Sequence, residues 1–409
     1  MAFVDARWFR VFAVVFTAFI FYLSWIVNLD KDLDIFIEAS RLVFRGESPY
    51  EKWLGTAGLK YYYSPFFAMI LYPLKDTPQL FYAFVWTLLN FYLVFRVFAL
   101  LVELLAIRGI DVLRQRLFIL FCLACSVRFL LDNLSLGQMT VMLLWATLET
   151  LRLWMAGKWL LAGALLALVI NIKLLPVAVF CYFFYKGSWK VCLATAGFSI
   201  LLLWIPSFVW GSAFNQQLHG DWLNTLTGTS VNSIVEDDNR PGLSSLIPSL
   251  VTETPVKFGL QRNFMELGPG AVQIVTNIGR LLFVLFGVAL ISGPLKKPGS
   301  TARAFYDMSV ICLLTPLVYP HQGKYALLYT LPAYAVCIWF LLQTEKPWRV
   351  TGYRPVFILV AISFILVTLT TDGVITRTGS DFAEYYHLLS YGTFALLAAL
   401  WKMKPGLKE

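Results

Sequence analysis

Four carboxylates, Asp30, Asp32, Asp34 and Glu38, fall directly after the first long apolar run of the chain, and a few cations lie far behind them. Lys173 stands in the middle of an otherwise apolar segment, WLLAGALLALVINIKLLPVAVFCYFFY. An ionisable group in such a segment is costly and normally faces a partner or a wet cavity, so Lys173 either reaches outward to water or holds an anion such as phosphate. His321 and Lys324, in TPLVYPHQGKY, flank the end of another apolar segment and could bind one anion together; alone, His321 reads as an interfacial residue. Gln138, just behind Gly137, can donate and accept hydrogen bonds or cap a helix. The acids have a structural reading too. Asp34, Glu38, Arg41 and Arg45 have helical spacing beside an apolar stripe of Ile35, Ala39, Leu42 and Val43, which describes an amphipathic surface helix capped by Asp30 or Asp32.

What positions these residues follows from the solvent of the chain. Of 409 residues, 59% are hydrophobic, 16% aromatic and only 14% charged, against about 25% charged in soluble domains. Apolar runs near the ~20 residues a crossing helix needs recur from end to end. The short alternating segments of a β-barrel are missing. The fold expected is an all-α polytopic membrane protein. The first run is too long for a cleaved signal and reads as a retained span. A net charge of +9 does not point to nucleic acid, because lysines and arginines gather in short connections and at both ends. The six cysteines all lie in apolar runs, and Cys122 and Cys125 have no second pair to complete a zinc site.

Basic clusters set the topology. With Arg7/Arg10, Arg108/Arg114/Arg116, Arg152/Lys158, Lys186/Lys190, Lys296/Lys297/Arg303, Lys346/Arg349/Arg354 and Lys402/Lys404/Lys408 in the cytosol, the chain makes about twelve spans with both termini inside. The whole of 1–409 reads as a single integral membrane domain with a first outer loop at 29–77 and a long one at 211–268. SPFFAMILYPL, residues 64–74, reaches only about 17 Å as a helix and is expected to be re-entrant or interfacial. Residues 159–185 are expected to form two short helices whose turn carries Lys173. Sorted this way, Asp30, Asp32, Asp34, Glu38, Tyr50, Tyr63, Asn133, Gln138, Lys173, Arg240, His321 and Lys324 fall outside, and an active site faces outward. The sequon Asn133-Leu134-Ser135 sits too close to the membrane to be read as a glycan site.

DLDIF followed by ASRLVFRGESPY and YYYSPFFAMILYPL resembles the start of glycosyltransferase family 87, within the GT-C superfamily. LGQMT resembles its GQxN-like segment, AGALLALVINIKLLP its AG…K…P hairpin, and LLTPLVYPHQ its SP-x-x-W-x-H segment. Thr140 replaces an Asn common in the family, and Tyr319-Pro320 stands where a Trp is common. The resemblance implies a GT-C bundle with outer-face loops and amphipathic helices in a bacterial plasma membrane. It also implies transfer of a sugar, mannose foremost, from a polyprenyl-phosphate carrier to a lipid-linked or glycan acceptor on the extracytoplasmic face. By position Asp32 matches the catalytic base, with Asp34 next; Lys173, His321, Lys324 and Arg240 would meet the donor phosphate, and Tyr50, Tyr63, Asn133 and Gln138 the substrates. No cofactor is required if those cations serve, though the acids Glu236–Asp238 keep a divalent metal possible. A transporter or flippase is the rival reading, weakened by the lack of an inverted repeat and by polar residues on one side only. A non-catalytic scaffold with the same fold is another.

Overall fold

Polar backbone groups in a bilayer must be satisfied within the segment, and this chain does so with helices. The computed structural model describes residues 17–22, 25, 32–55, 58–228, 240–253, 256–320 and 322–404. Among the described residues there are seventeen α-helices and no strand, only one isolated bridge between Leu54 and Leu59. The chain is an all-α polytopic membrane protein.

Helix α1 (Asp32–Phe44) buries Leu33, Ile35, Phe36, Ile37, Ala39 and Val43 and keeps its acids at its first turn, where they oppose the positive end of the helix dipole. In α2 (Pro65–Ile70), Ser64 caps the N-terminus and Pro65 occupies the first turn, where its missing N–H costs nothing. Residues 64–74 thus form a six-residue helix and a 3-10 turn, Tyr72–Leu74. Two long helices follow, α3 (Gln79–Leu104) and α4 (Val112–Leu136). Asp111 caps α4, and Gly137, at φ 66°, supplies the left-handed residue that ends it. Then come α5 (Thr140–Met155), α6 (Trp159–Ile172) and α7 (Val177–Tyr185). The last two are the expected pair of short helices, with Lys173 at their break. The chain continues through α8 (Trp189–Trp204), α9 (Ser207–Trp210), α10 (Ser212–Thr227) and α11 (Leu243–Val251). It closes with α12 (Pro269–Leu290), α13 (Thr301–Val318), α14 (Leu331–Leu341), α15 (Arg354–Val367), α16 (Asp372–Tyr385) and α17 (Leu388–Met403); a 3-10 helix, Lys324–Thr330, leads into α14.

Six described helices are long and apolar enough to cross a membrane, and α15 with α16, bent by 81° at their junction, makes a seventh if counted as one. Of the remaining expected spans, α6 and α17 are apolar but shorter, α5 (16 residues) and α7 (9 residues) are too short to cross alone, and the first apolar run lies largely outside the described residues. The apolar stretches of α13 and of Lys324–Leu341 are 78% buried, whereas those of α8–α9 and α12 are 22% and 17% buried. The former therefore make the centre of the bundle and the latter its lipid-facing rim. Where water does not drive association, close backbone approach does. Gly163 of α6 packs so tightly on α8 that a Cβ would lie 2.4 Å from Ala194 Cβ and 2.9 Å from Thr195 N.

Candidate active site

Residues two apart on a helix point about 200° away from each other, so α1 sends its two acids to different neighbours. Asp34 accepts hydrogen bonds from the Tyr82 hydroxyl and, at 3.0 Å, from Gln79 Nε2, both on the first turns of α3. Asp32 accepts one from Gln138 Nε2. Gln138 is placed for this by the left-handed turn at Gly137: its backbone N–H reaches Asn133 O at 3.0 Å, and the indole of Trp86 donates to Gly137 O at 2.9 Å. On its other side, Gln138 Oε1 accepts from the Tyr63 hydroxyl at 3.4 Å. Tyr63 is fixed in turn by Tyr50, whose buried hydroxyl donates to Tyr63 O at 2.8 Å. Burial pushes the Tyr63 phenol well above the ordinary tyrosine value, and the nearby Tyr325 and Asp32 push it further, so its hydroxyl stays a neutral donor.

Lys173 leaves the end of α6 in extended backbone, φ −147° and ψ 135°. Ser64 stitches the tyrosine loop to that end, donating its hydroxyl to Asn171 O while its N–H reaches Ile172 O at 3.4 Å. The Lys173 ammonium consequently lies 5.1 Å from the Tyr63 ring centre and 5.7 Å from that of Tyr325. Among the described residues it has no carboxylate partner. Asp32, Gln138, Tyr63 and Lys173 therefore converge from four segments of the chain.

Lys324 is held differently. Its ammonium donates to Glu384 Oε1 at 2.8 Å, and the buried Arg128 guanidinium reaches the same oxygen at 3.1 Å. Arg128 also donates to Val367 O and to Thr370 Oγ1, each at 3.0 Å. Asn133, buried, donates to Phe129 O at 2.8 Å and to Tyr325 O at 3.0 Å, which fixes the residue after Lys324 rather than offering its amide outward. Arg240 lines a small cavity with Ser244, Ser245, Pro316, Tyr319 and Gln322, on either side of the expected His321. His321 and Glu236–Asp238 lie outside the described residues. Among the described residues no cluster of three His, Cys, Asp or Glu side chains is placed to hold a metal.

Three participants escaped the sequence reading. Tyr325 was hidden because an aromatic at a span end is commonplace at a membrane interface. Arg128 carried a usable signal, an ionisable residue inside the apolar run of α4. Glu384 carried none, since its partner is 256 residues away in the chain. Chemically, the convergence offers a carboxylate oriented by an amide, a neutral phenol donor, and an ammonium partly stripped of water by aromatic rings. Such a set can take a proton and hold an anion within one site. The profile of glycosyltransferase family 87 matches residues 61–320, a stretch that contains Tyr63, Asn133, Gln138, Lys173 and Arg240 and begins after α1. No curated protein and no solved structure matches the chain.

Proposed function

The chain belongs to glycosyltransferase family 87, and on that footing we propose that it moves a sugar, mannose foremost, from a polyprenyl-phosphate carrier to a hydroxyl of a lipid-linked or glycan acceptor. The site faces the extracytoplasmic side, with both termini in the cytosol. Asp32 takes the proton of the acceptor hydroxyl as that oxygen attacks the anomeric carbon. The bond from this carbon to the carrier phosphate breaks, and polyprenyl phosphate departs with the bonding pair. A base within hydrogen-bond reach of the nucleophile is worth about 10²–10⁴ in rate. Gln138 fixes the plane of the Asp32 carboxylate. Lys173 meets the negative charge that grows on the leaving phosphate, where a preorganised cation acts most strongly. Lys324, tied to Glu384, and Arg240, beside the segment carrying His321, extend the positive rim.

The observation that carries this reading is the meeting of Asp32, through Gln138 and Tyr63, with a lysine that has no carboxylate among the described residues. The experiment incubates purified protein with radiolabelled polyprenyl-phosphate-mannose and a panel of lipid acceptors. Wild type should form labelled glycolipid, and Asp32→Asn should lose at least a hundredfold of it while expressing and binding donor normally. Equal transfer by the two proteins would remove Asp32 from the mechanism, and no transfer from any polyprenyl-phosphate sugar would remove the donor class.

A further inference from the structure

On the far side of α1 from Asp32, the described residues enclose an open cleft of about 460 Å³. Its lining mixes charged, polar and apolar groups: Asp34, Glu38, Arg41 and Leu42 from α1, Arg45 just past its end, Gly55 from the following loop, and Gln79 and Tyr82 from α3. Residues at this spacing on a plain surface helix normally close into i,i+3 and i,i+4 ion pairs. Here none of the four charged side chains pairs with another. Each is drawn apart instead. Asp34 is held by Gln79 and Tyr82, Glu38 accepts from Gly55 N at 2.7 Å, and Arg41 donates to Lys75 O. The Arg45 guanidinium is exposed and has no hydrogen-bond or ion-pair partner among the described residues.

We infer that this cleft is a carbohydrate subsite that holds the sugar units of the acceptor next to the hydroxyl that reacts at Asp32; the assignment to the acceptor rests on the glycosyltransfer reading above. The sign of the charges selects the ligand. A lone anion is repelled by Asp34 and Glu38, and a lone cation by Arg41 and Arg45. A neutral polyol suits both, since each hydroxyl can donate to a carboxylate and accept from a guanidinium or amide. The volume lies within the range of about 300–1,000 Å³ typical of small-molecule sites. Because Asp34 is two residues from Asp32 on the first turn of one helix, a sugar chain bound in the cleft leads round the helix end to the base.

Two measurements on the full-length protein test this. In the first, Leu42, which lines the cleft and leaves both arginines in place, is replaced in a Cys181→Ser background. The Leu42→Cys thiol is reacted with a small methanethiosulfonate in the presence of methyl dimannoside or of sodium phosphate. The dimannoside should slow the reaction severalfold and phosphate should not. In the second, Arg45→Ala should raise KM for a disaccharide-bearing acceptor about tenfold, the loss of one charged hydrogen bond, with kcat and hydrolysis of the donor by water unchanged. Protection by phosphate alone, or transfer with neither protection nor a change in KM, overturns the subsite. Protection by the dimannoside in a protein that never transfers sugar supports the subsite and overturns the transfer reading instead.

Discussion

Lys173 lies against aromatic rings where Lys324 meets a carboxylate shared with a guanidinium, and on the proposed reading that difference makes Lys173 the cation that meets the donor phosphate. Glu384 already neutralises much of the Lys324 charge, and Arg128 shares the same oxygen. The faces of Tyr63 and Tyr325 stabilise the Lys173 ammonium without cancelling it, at 5.1 and 5.7 Å from the ring centres. Replacing Lys173 by Met should therefore cost about 10²–10³ in kcat/KM for the donor, and Lys173→Arg should recover part of it, measured by single-turnover transfer. Lys324→Met should cost much less. Much of this was legible in the sequence, because a lysine inside an apolar segment and acids at the mouth of a span are anomalies that need a cause. The neighbours that Asp32 and Asp34 each meet were not, since periodicity says only that the two diverge. Three tyrosines add a pH dependence. Burial raises the phenols of Tyr50, Tyr61 and Tyr63 well above the ordinary value of 10.0. Their contribution to stability is whole below that value and is lost as pH climbs toward the raised ones, because the unfolded chain there sheds protons that the folded chain keeps. Thermal melts of purified protein should hold level up to about pH 10 and fall above it, and Tyr61→Phe should fall less steeply.

At the scale of elements, the site depends on how α6 is seated, since Lys173 is the residue on which that helix ends. The seat is a glycine contact. A Cβ on Gly163 would meet Ala194 Cβ at 2.4 Å, Thr195 N at 2.9 Å and Val191 O at 3.0 Å, and two of those three atoms are backbone that cannot swing aside. Gly163→Val should thus push α6 off α8, costing about 1–3 kcal/mol as overpacking does and displacing Lys173 from its tyrosines. The expected outcome is a lower melting temperature and a raised donor KM, with Gly197→Val, at a position with open space, as a control that changes neither. The pairing of α6 with α7 and the long α3 could be read from apolar runs and a proline. The 3-10 helix Lys324–Thr330 could not, since it runs straight into α14 as part of one stretch that is long and apolar enough to span. Nor could α10, whose docking is tertiary: Trp222 Nε1 donates to Tyr62 O at 3.1 Å, and Asp221 accepts from Ser48 at 2.7 Å, which closes the polar loop over the tyrosines.

Across the whole molecule, the helices share a polarity. At one end stand Asp32, the start of α3 at Gln79, the end of α4 at Gly137 and the end of α6 at Lys173; so do the end of α13 before residue 321 and the start of α17 at His387. Four of these helices carry basic residues at the opposite end: Arg114 and Arg116 at the start of α4, Lys158 before α6, Arg303 in α13 and Lys402 in α17. Even the buried ion group of that end, Lys186 with Asp307 at 3.2 Å, sits where α7 finishes and α13 begins. On the proposed reading one side of the bundle carries the chemistry and the other the anchoring, and the excess of lysine and arginine in short connections is expected to hold the anchoring side in the cytosol. The consequence can be checked without any substrate. In cells expressing a Cys181→Ser background, Asp76→Cys, exposed in the site-side connection between α2 and α3, should react with a membrane-impermeant thiol reagent while the cells are intact. Lys346→Cys, exposed in the connection between α14 and α15, should react only after permeabilisation. The reverse pattern would put Asp32 in the cytosol, where a lipid-linked sugar delivered to the outer leaflet could not reach it, and the proposed reaction would lose its site.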